Sequence, residues 1–350
     1  MVWGMTDFSD HEQVTYVTDE PTGLRAIISI HDTSLGPALG GTRMYDYETA
    51  KAGLKDGLRL SRAMAFKAAA ADLNLGGGKA VILGDPDEHK SEALLEAYGR
   101  AVDDLGGKYI TSVDVGTGVE DMDVLAEETE YVVGTSEGLG DPSPITAYGV
   151  FHSLKAVQEY TTGTDSVDGT HVVVQGLGKV GTGLAELLLD RGAKVTVTDT
   201  DEAVVQQFQT KFDVDAVAPE SVYDVSCDVF APCAVGGVVN DDTVSRLDCE
   251  AVVGGANNIL DRHEHANRLQ ERGILYAPDF VVNAGGLITV AKEYFGGTRP
   301  DAFEEAELIG NRLLTMIEQA ESRDVTVLES AELYATDRID NASQVTAVSS

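Results

Sequence analysis

Positive charge is scarce in this sequence. Its 350 residues carry 25 Lys and Arg against 59 Asp and Glu, a formal net charge of −34 at pH 7. Such a surface repels nucleic acid and anionic membrane, so neither is expected as a partner. The excess of acid runs along the whole chain. Dense carboxylates of this kind keep a protein soluble in a salt-rich cytoplasm, where cations screen their repulsion. Cysteine is scarce too: Cys227, Cys233 and Cys249 are an odd set without a CxxC pair. That argues against a disulfide framework and against a zinc site, and no metal centre is expected. The longest uncharged run, Pro142–Leu154, is too short to span a bilayer as a helix. The opening stretch MVWGMTDFSDHEQ has neither a basic n-region nor an apolar h-region, so no signal peptide is expected and the cytoplasm is the expected location.

What the chain does have is apolar content, 43%, and a length suited to about two domains. Its most informative stretch is His171–Gly181, HVVVQGLGKVG. His171–Val174 reads as a short buried strand, and Leu184, Leu187 and Leu188 recur at helical spacing beyond it. Between them lies Gly176-Leu177-Gly178-Lys179-Val180-Gly181, a GxGxxG turn. Gly176 permits the sharp turn, Gly178 lets backbone approach a pyrophosphate, and Gly181 lets helix pack on strand. The free N–H groups at the helix start face the phosphates. A lone GxGxxG is weak, but a second strand, Lys194–Thr198, follows and ends in Asp199, 18 residues after Gly181. An acid there suits the ribose hydroxyls of NAD. Thr200 and Asp201 come next, with no Arg to receive a 2′-phosphate.

The rest of the chain alternates strand and helix. Strands are expected at 24–31, 79–83, 108–113 and 131–133. Helices are expected at 48–71 and 91–105, and a Gly/Pro-rich loop at 35–43. GLGDPSP (138–144) reads as a linker, and a helix over 145–160 leads into the dinucleotide-binding strand. Further strands near 194–198, 228–231, 251–254 and 274–277 complete a doubly wound sheet, followed by a helix over 301–323. The domains implied are 1–134, completed by about 325–350, and 135–324.

Lysine occurs only eleven times, so two lysines in uncharged surroundings stand out. Lys67 lies in AMAFKAAAADL and Lys79 in NLGGGKAVI. A confined lysine has a depressed pKa. It can exchange protons near neutral pH or bind a carboxylate as a point charge. A snorkelling Lys67 and a Lys79 that merely opens a strand are the plainer readings. The run Gly76-Gly77-Gly78 favours close backbone approach to a ligand. Asp114 ends a strand before VGTG, where it could equally cap the turn. Asn257, Asn258 and Asn283 sit in small-residue turns after strands, where ligands of such sheets bind.

Eight motifs occur in order: GPALGGTRM (36–44), MAFKAAAADLNLGGGKAVI (64–82), YITSVDVGT (109–117), PSPITAYGV (142–150), the GLGKVG turn, APCAVGG (231–237), GGANN (254–258) and NAGGLITVA (283–291). Together they resemble the glutamate/leucine/phenylalanine/valine dehydrogenase family, nearest its leucine dehydrogenases. The resemblance implies an α/β fold of two domains, an N-terminal substrate-binding and oligomerisation domain and a doubly wound Rossmann NAD-binding domain, with the active site in the cleft between. It implies NAD as cofactor and oxidative deamination of an L-amino acid of the branched-chain class to a 2-oxo acid and ammonium. It also implies a homo-oligomer, from dimer to octamer. Position by position, Lys67 with Asn283 would hold the α-carboxylate, and Gly40 and Gly41 would line its end of the site. Lys79 would activate water and Asp114 would relay protons to and from nitrogen. Thr146 would bond the nicotinamide amide, Asn257 would lie near its ribose, and Asp199 would take the adenosine ribose. Leu39, Ser112, Leu287 and Val290 would meet the substrate side chain. Glutamate or phenylalanine as substrate, and a non-catalytic NAD-binding subunit, are the alternatives.

Overall fold

The computed structural model describes residues 5 and 7–349, with side chains through residue 344. Residues 1–4 and 6, part of the stretch read above for a signal peptide, lie outside these. The chain forms two compact units: Met1–Gly140 with Val290–Thr298 and Ala335–Ser350, and Asp141–Thr289 with Arg299–Tyr334.

The first unit contains β1 (Gln13–Asp19), β2 (Leu24–Asp32), β3 (Ala38–Tyr45), α1 (Ala50–Ala70), β4 (Gly76–Leu83), α2 (Pro86–His89), α3 (Glu92–Asp103), β5 (Tyr109–Val113) and α4 (Val119–Ala126). The sheet order is β1-β2-β4-β3-β5. β1 and β2 run antiparallel, β2 runs antiparallel to β4, and β4, β3 and β5 are parallel. Alternation along each strand divides the sheet into two faces. One carries Ile28, Ile30, Ala80 and Ile82 into a core with Leu94, Tyr98, Met122 and Leu125.

The other face receives α1, and small residues bring it close. A Cβ on Gly77 would lie 2.2 Å from the Ala65 nitrogen and 2.3 Å from the Ser61 oxygen, both backbone atoms of α1. A Cβ on Gly78 would lie 2.6 Å from the Tyr109 ring, and one on Gly76 2.0 Å from the Asp32 oxygen. The three consecutive glycines therefore make room for the protein itself. This replaces the expectation that they admit a ligand. They also lie within β4 rather than in a loop. Likewise the expected loop at 35–43 is mostly β3. Gly40 and Gly41 lower its strand propensity, yet the pairing demands them. A Cβ on Gly40 would lie 1.7 Å from the Gly78 oxygen.

The second unit contains α5 (Ser143–Thr162), β6 (His171–Gln175), α6 (Lys179–Leu189), β7 (Lys194–Thr198), α7 (Glu202–Lys211), β8 (Asp215–Ala216), β9 (Val229–Pro232), β10 (Ala251–Val252), α8 (His265–Glu271), β11 (Leu275–Tyr276), α9 (Asp279–Val282), part of α10 (Gly285–Tyr294), α11 (Arg299–Arg323) and the start of α12 (Val327–Ser349). α10 and α12 each run from this unit into the first. The six strands are parallel in the order β11-β10-β9-β6-β7-β8. From β6 the chain builds outward through β7 and β8, then returns to build β9, β10 and β11 on the other side. The switch point thus lies at the carboxyl ends of β6 and β9, where open α/β sheets bind ligands. α11 packs on α5 at glycine contacts: a Cβ on Gly149 would lie 2.7 Å from Ile309, and one on Gly310 2.6 Å from the His152 oxygen. Three expected strands shrink, the one at 274–277 to Leu275–Tyr276. The one at 131–133 is a single bridge, Thr111 to Val132, and the one at 251–254 is two residues. No described helix is long and apolar enough to cross a membrane.

Candidate active site

In the first unit the α1 side of the sheet gathers charge. Lys79 stands on β4, the central strand of this face, and is 6% exposed. Arg43 stands on the neighbouring β3, and Asp114 directly follows β5. Lys79 Nζ donates to Asp114 Oδ2 in a very short contact. Arg43 Nε lies 3.5 Å from the same oxygen. The Asp114 backbone is held as well: its N–H donates to Thr117 Oγ1 at 3.0 Å, and Thr117 Oγ1 donates to the Thr42 oxygen at 2.8 Å. Gly41 is small for the same reason, since a Cβ there would lie 2.9 Å from that of Asp114. Burial and the Arg43 guanidinium lower the Lys79 ammonium to about 7, against the opposing pull of Asp56. Lys79 can therefore change protonation at neutral pH while it touches a carboxylate.

Behind Arg43 lies a second carboxylate. Arg43 Nη1 donates to Asp56 Oδ2 at 2.8 Å, Tyr47 donates to the same oxygen at 2.6 Å, and Arg59 donates to Asp56 Oδ1 at 3.0 Å. Burial opposes the charge on Asp56, but Tyr47, Arg59 and Arg43 together hold its carboxyl below the ordinary range. Arg43, Asp56 and Tyr47 escape a reading of the sequence. Their one signal is that Arg43 is a cation inside an uncharged Gly-rich stretch of a cation-poor chain. The other expected residues of this unit lie on β3, β5, α1 and α10. Lys67 is half-buried on α1, Gly40 and Gly41 lie within β3, Leu39 (2% exposed) and Ser112 (5%) are buried, and Val290 is half-buried on α10.

In the second unit the GxGxxG turn joins β6 to α6. Its glycines have three different reasons. Gly176 has φ +98°, a conformation that side chains resist. A Cβ on Gly181 would lie 1.9 Å from the Gly176 oxygen, so helix and turn touch there. Around a Cβ on Gly178 no described atom lies within 4 Å. Gly178 is also the N-cap of α6, and no side chain caps it. The first N–H groups of α6 thus meet open space, as an anion site requires. Leu177 is buried and Val180 half-buried, while Lys179 reaches outward to Asp141 Oδ2 at 2.9 Å. Asp199, at the end of β7, accepts from the Leu177 N–H at 2.6 Å and the Asp201 N–H at 3.0 Å. Partial burial works against its charge, but the N–H groups of Asp201, Leu177 and Thr200 hold its carboxyl below the ordinary value. A dinucleotide fits this set: a glycine cradle open at Gly178, uncapped helix donors, and an ionised carboxylate one strand away.

The amides of this unit also converge. Asn283 (4% exposed) donates from Nδ2 to Asn257 Oδ1 at 2.9 Å and to the Ala256 oxygen at 3.2 Å. Thr146 is buried on α5, its hydroxyl donating to the Pro142 oxygen at 3.1 Å. Gly285 packs a Cβ position 2.6 Å from the Ile145 oxygen, and Leu287 is buried two residues on. Elsewhere Asp241, Glu264 and His265 bring possible metal ligands within 4.8 Å of one another. Arg262, His265 and Arg268 already satisfy Asp241 and pull its carboxyl down to about 2. That grouping is an ion-pair network.

Comparison with known proteins agrees with this geometry. Residues 11–131 match the family described as Glu/Leu/Phe/Val dehydrogenase, dimerisation domain, and residues 138–218 and 196–348 match Glutamate/Leucine/Phenylalanine/Valine dehydrogenase. A leucine dehydrogenase of Bacillus subtilis is 46% identical over 95% of this chain and 92% of its own length. A phenylalanine dehydrogenase of Lysinibacillus sphaericus is also 46% identical, over 92% of this chain and 87% of its own. The crystal structure of L-tryptophan dehydrogenase from Nostoc punctiforme superposes with a TM-score of 0.89 at 41% identity, covering 96% of this chain and 97% of that one. Relatives named for three different amino acids lie at similar distances, so overall identity does not select the substrate.

Proposed function

The chain belongs to the Glu/Leu/Phe/Val dehydrogenase family, and on that premise we propose that it catalyses reversible, NAD-dependent oxidative deamination of a branched-chain L-amino acid. The products are the 2-oxo acid, ammonium and NADH. The observation that carries this reading is the buried contact of Lys79 with Asp114. Deamination needs a base for water and a partner that moves protons at nitrogen. Lys79, lowered to about 7, can be that base. Asp114, already at its ammonium, can relay the proton. For the α-carboxylate the first unit offers Lys67, Gly40 and Gly41, and the second offers Asn283. NAD, when bound, supplies the hydride acceptor. The chain holds it through the Gly176–Gly181 turn, Asp199, Thr146 and Asn257.

Substrate choice rests on Leu39, Ser112, Val290 and Leu287. Leu39 and Val290 offer no cation or hydroxyl to a γ-carboxylate, and burying one against them costs several kcal/mol. Leu287 is bulkier than the valine usual in leucine enzymes. It should favour valine or isoleucine over leucine or phenylalanine, but only by the ~1–3 kcal/mol of a methylene. The test is NADH formation with valine, isoleucine, leucine, phenylalanine and glutamate in high salt. An aliphatic amino acid should have the highest kcat/KM. Glutamate or phenylalanine at the top would overturn the substrate reading, and no turnover with any of them would favour a non-catalytic NAD-binding subunit. We further propose a cytoplasmic homo-oligomer whose acidic surface is adapted to concentrated salt.

A further inference from the structure

We infer that Arg43 is a positioning residue of the reaction: shared between Asp114 and Asp56, it holds the Asp114 carboxylate against Lys79 and ties that pair to Asp56, which Tyr47 and Arg59 fix in turn. This rests on the dehydrogenase reading of the Lys79–Asp114 pair. The geometry is specific. One guanidinium uses Nε toward Asp114 Oδ2, at 3.5 Å, and Nη1 toward Asp56 Oδ2, at 2.8 Å. A planar fork can serve two carboxylates at once, which a lysine ammonium cannot do with the same fixed directions. Asp56 is itself fixed from both sides, by Tyr47 and by Arg59. Arg43 is thus anchored at one end, and at the other its buried Nε faces Asp114 at ion-pair distance without a hydrogen bond, so it acts on that carboxylate through charge.

The arrangement gives Arg43 and Asp56 opposite electrostatic effects on Lys79. Arg43 on β3 and Asp56 on α1 act on Lys79 through their charge, and Asp114 after β5 touches it; Arg59 and Lys67 are the other cations of this set on α1. Across the β2–β4 pairing it meets only the neutral Ser29. The Arg43 charge disfavours an ammonium at Lys79, whereas the Asp56 charge favours it. Removing Arg43 therefore raises the pH at which Lys79 becomes a base, and removing the Asp56 charge lowers it.

The experiment compares Arg43→Met, Arg43→Lys and Asp56→Asn in the full-length enzyme. Two quantities are read against pH: kcat/KM for the best amino acid, and the rate at which acetic anhydride acylates Lys79, followed by peptide mass spectrometry. In Arg43→Met the rising limb of kcat/KM and the Lys79 labelling curve should both move up by on the order of one pH unit, about a tenfold loss on the acid side. In Asp56→Asn both should move down. Arg43→Lys keeps the charge without the fork, so its limb should stay near that of the wild type while kcat falls. A merely structural role lowers kcat in all three variants with limb and labelling curve unmoved, and that result overturns the inference. Should Arg43→Met fail to fold, an unmoved labelling curve in Asp56→Asn overturns it alone. Labelling needs no turnover, so it decides the matter even if wild-type enzyme oxidises no amino acid, a result that would instead refute the dehydrogenase reading.

Discussion

Alanine at Gly178 should cost binding and not folding. The backbone there has φ −67°, which any residue adopts, and no described atom lies within 4 Å of the added Cβ. Alanine restricts the unfolded chain, which stabilises by ~0.4–1 kcal/mol. At an N-cap, however, it is a poorer residue than glycine by a similar amount. The two effects nearly cancel, so the change in stability should be within about 0.5 kcal/mol of zero. The methyl group projects where phosphate must approach the first N–H groups of α6. Losing or stretching one hydrogen bond to a charged group removes roughly 1.5–3 kcal/mol, a weakening of about tenfold to a hundredfold in Kd. Gly181→Ala is the opposite case. Its Cβ would sit 1.9 Å from the Gly176 oxygen, where ordinary contact begins at 3.4 Å. The helix must shift, at ~1–3 kcal/mol or more. Urea unfolding at fixed salt gives the stabilities, and quenching or enhancement of NADH fluorescence gives the affinities. Wild-type NADH affinity in Gly178→Ala, or a stability loss matching that of Gly181→Ala, would refute the assignment of this opening to the pyrophosphate.

Other substitutions separate the remaining roles. Lys79→Ala should lower kcat by a hundredfold or more with NADH affinity intact, as expected for a lost general base, whereas Lys67→Ala should act mainly on the KM for amino acid; retention of a tenth of kcat in Lys79→Ala would exclude water activation. NAD should exceed NADP strongly in kcat/KM, because Asp199 repels a 2′-phosphate, and equal use of both would contradict that role. The melting temperature should climb between about 0.1 M and multimolar KCl as 59 acids are screened. A flat response would remove the salt-adaptation reading.

The second unit was the more legible half. Its turn, helix and Asp199 are local in sequence, and each glycine carries a separate backbone demand that the motif already encodes. The first unit is built from long-range pairings, and there local signals misled. β3 reads as a loop because glycine disfavours strands, but its glycines exist because β4 and β5 crowd it. β1 gives little signal because an edge strand such as QVTYVTD is largely polar. Lys79 stands out from its uncharged, Gly-rich surroundings, whereas Asp114 by itself reads equally well as a turn cap. Arg43 and Asp56 were not recognisable, since nothing in the sequence says that β3 lies between β4 and β5. α12 is polar around much of its circumference, so its periodicity is faint. It is nonetheless anchored: Arg338 donates to the Ala69 and Leu73 oxygens at 3.3 and 2.8 Å, closing the carboxyl end of α1.

That last contact bears on how the protein is made. A ribosome delivers the sheet of the first unit early, but residues 290–298 and 335–350 of the same unit emerge much later. Roughly two hundred residues of the other unit intervene. At ~5–20 residues per second this is a wait of about 10–40 s. During that time the carbonyls ending α1 have no Arg338, and the Ala65–Ala69 surface has no Ala335 or Ile339 to cover it. The second unit must therefore fold beside an unfinished neighbour. A nascent chain stalled before residue 335 should expose this apolar surface to chaperones, and release of α12 should end that exposure.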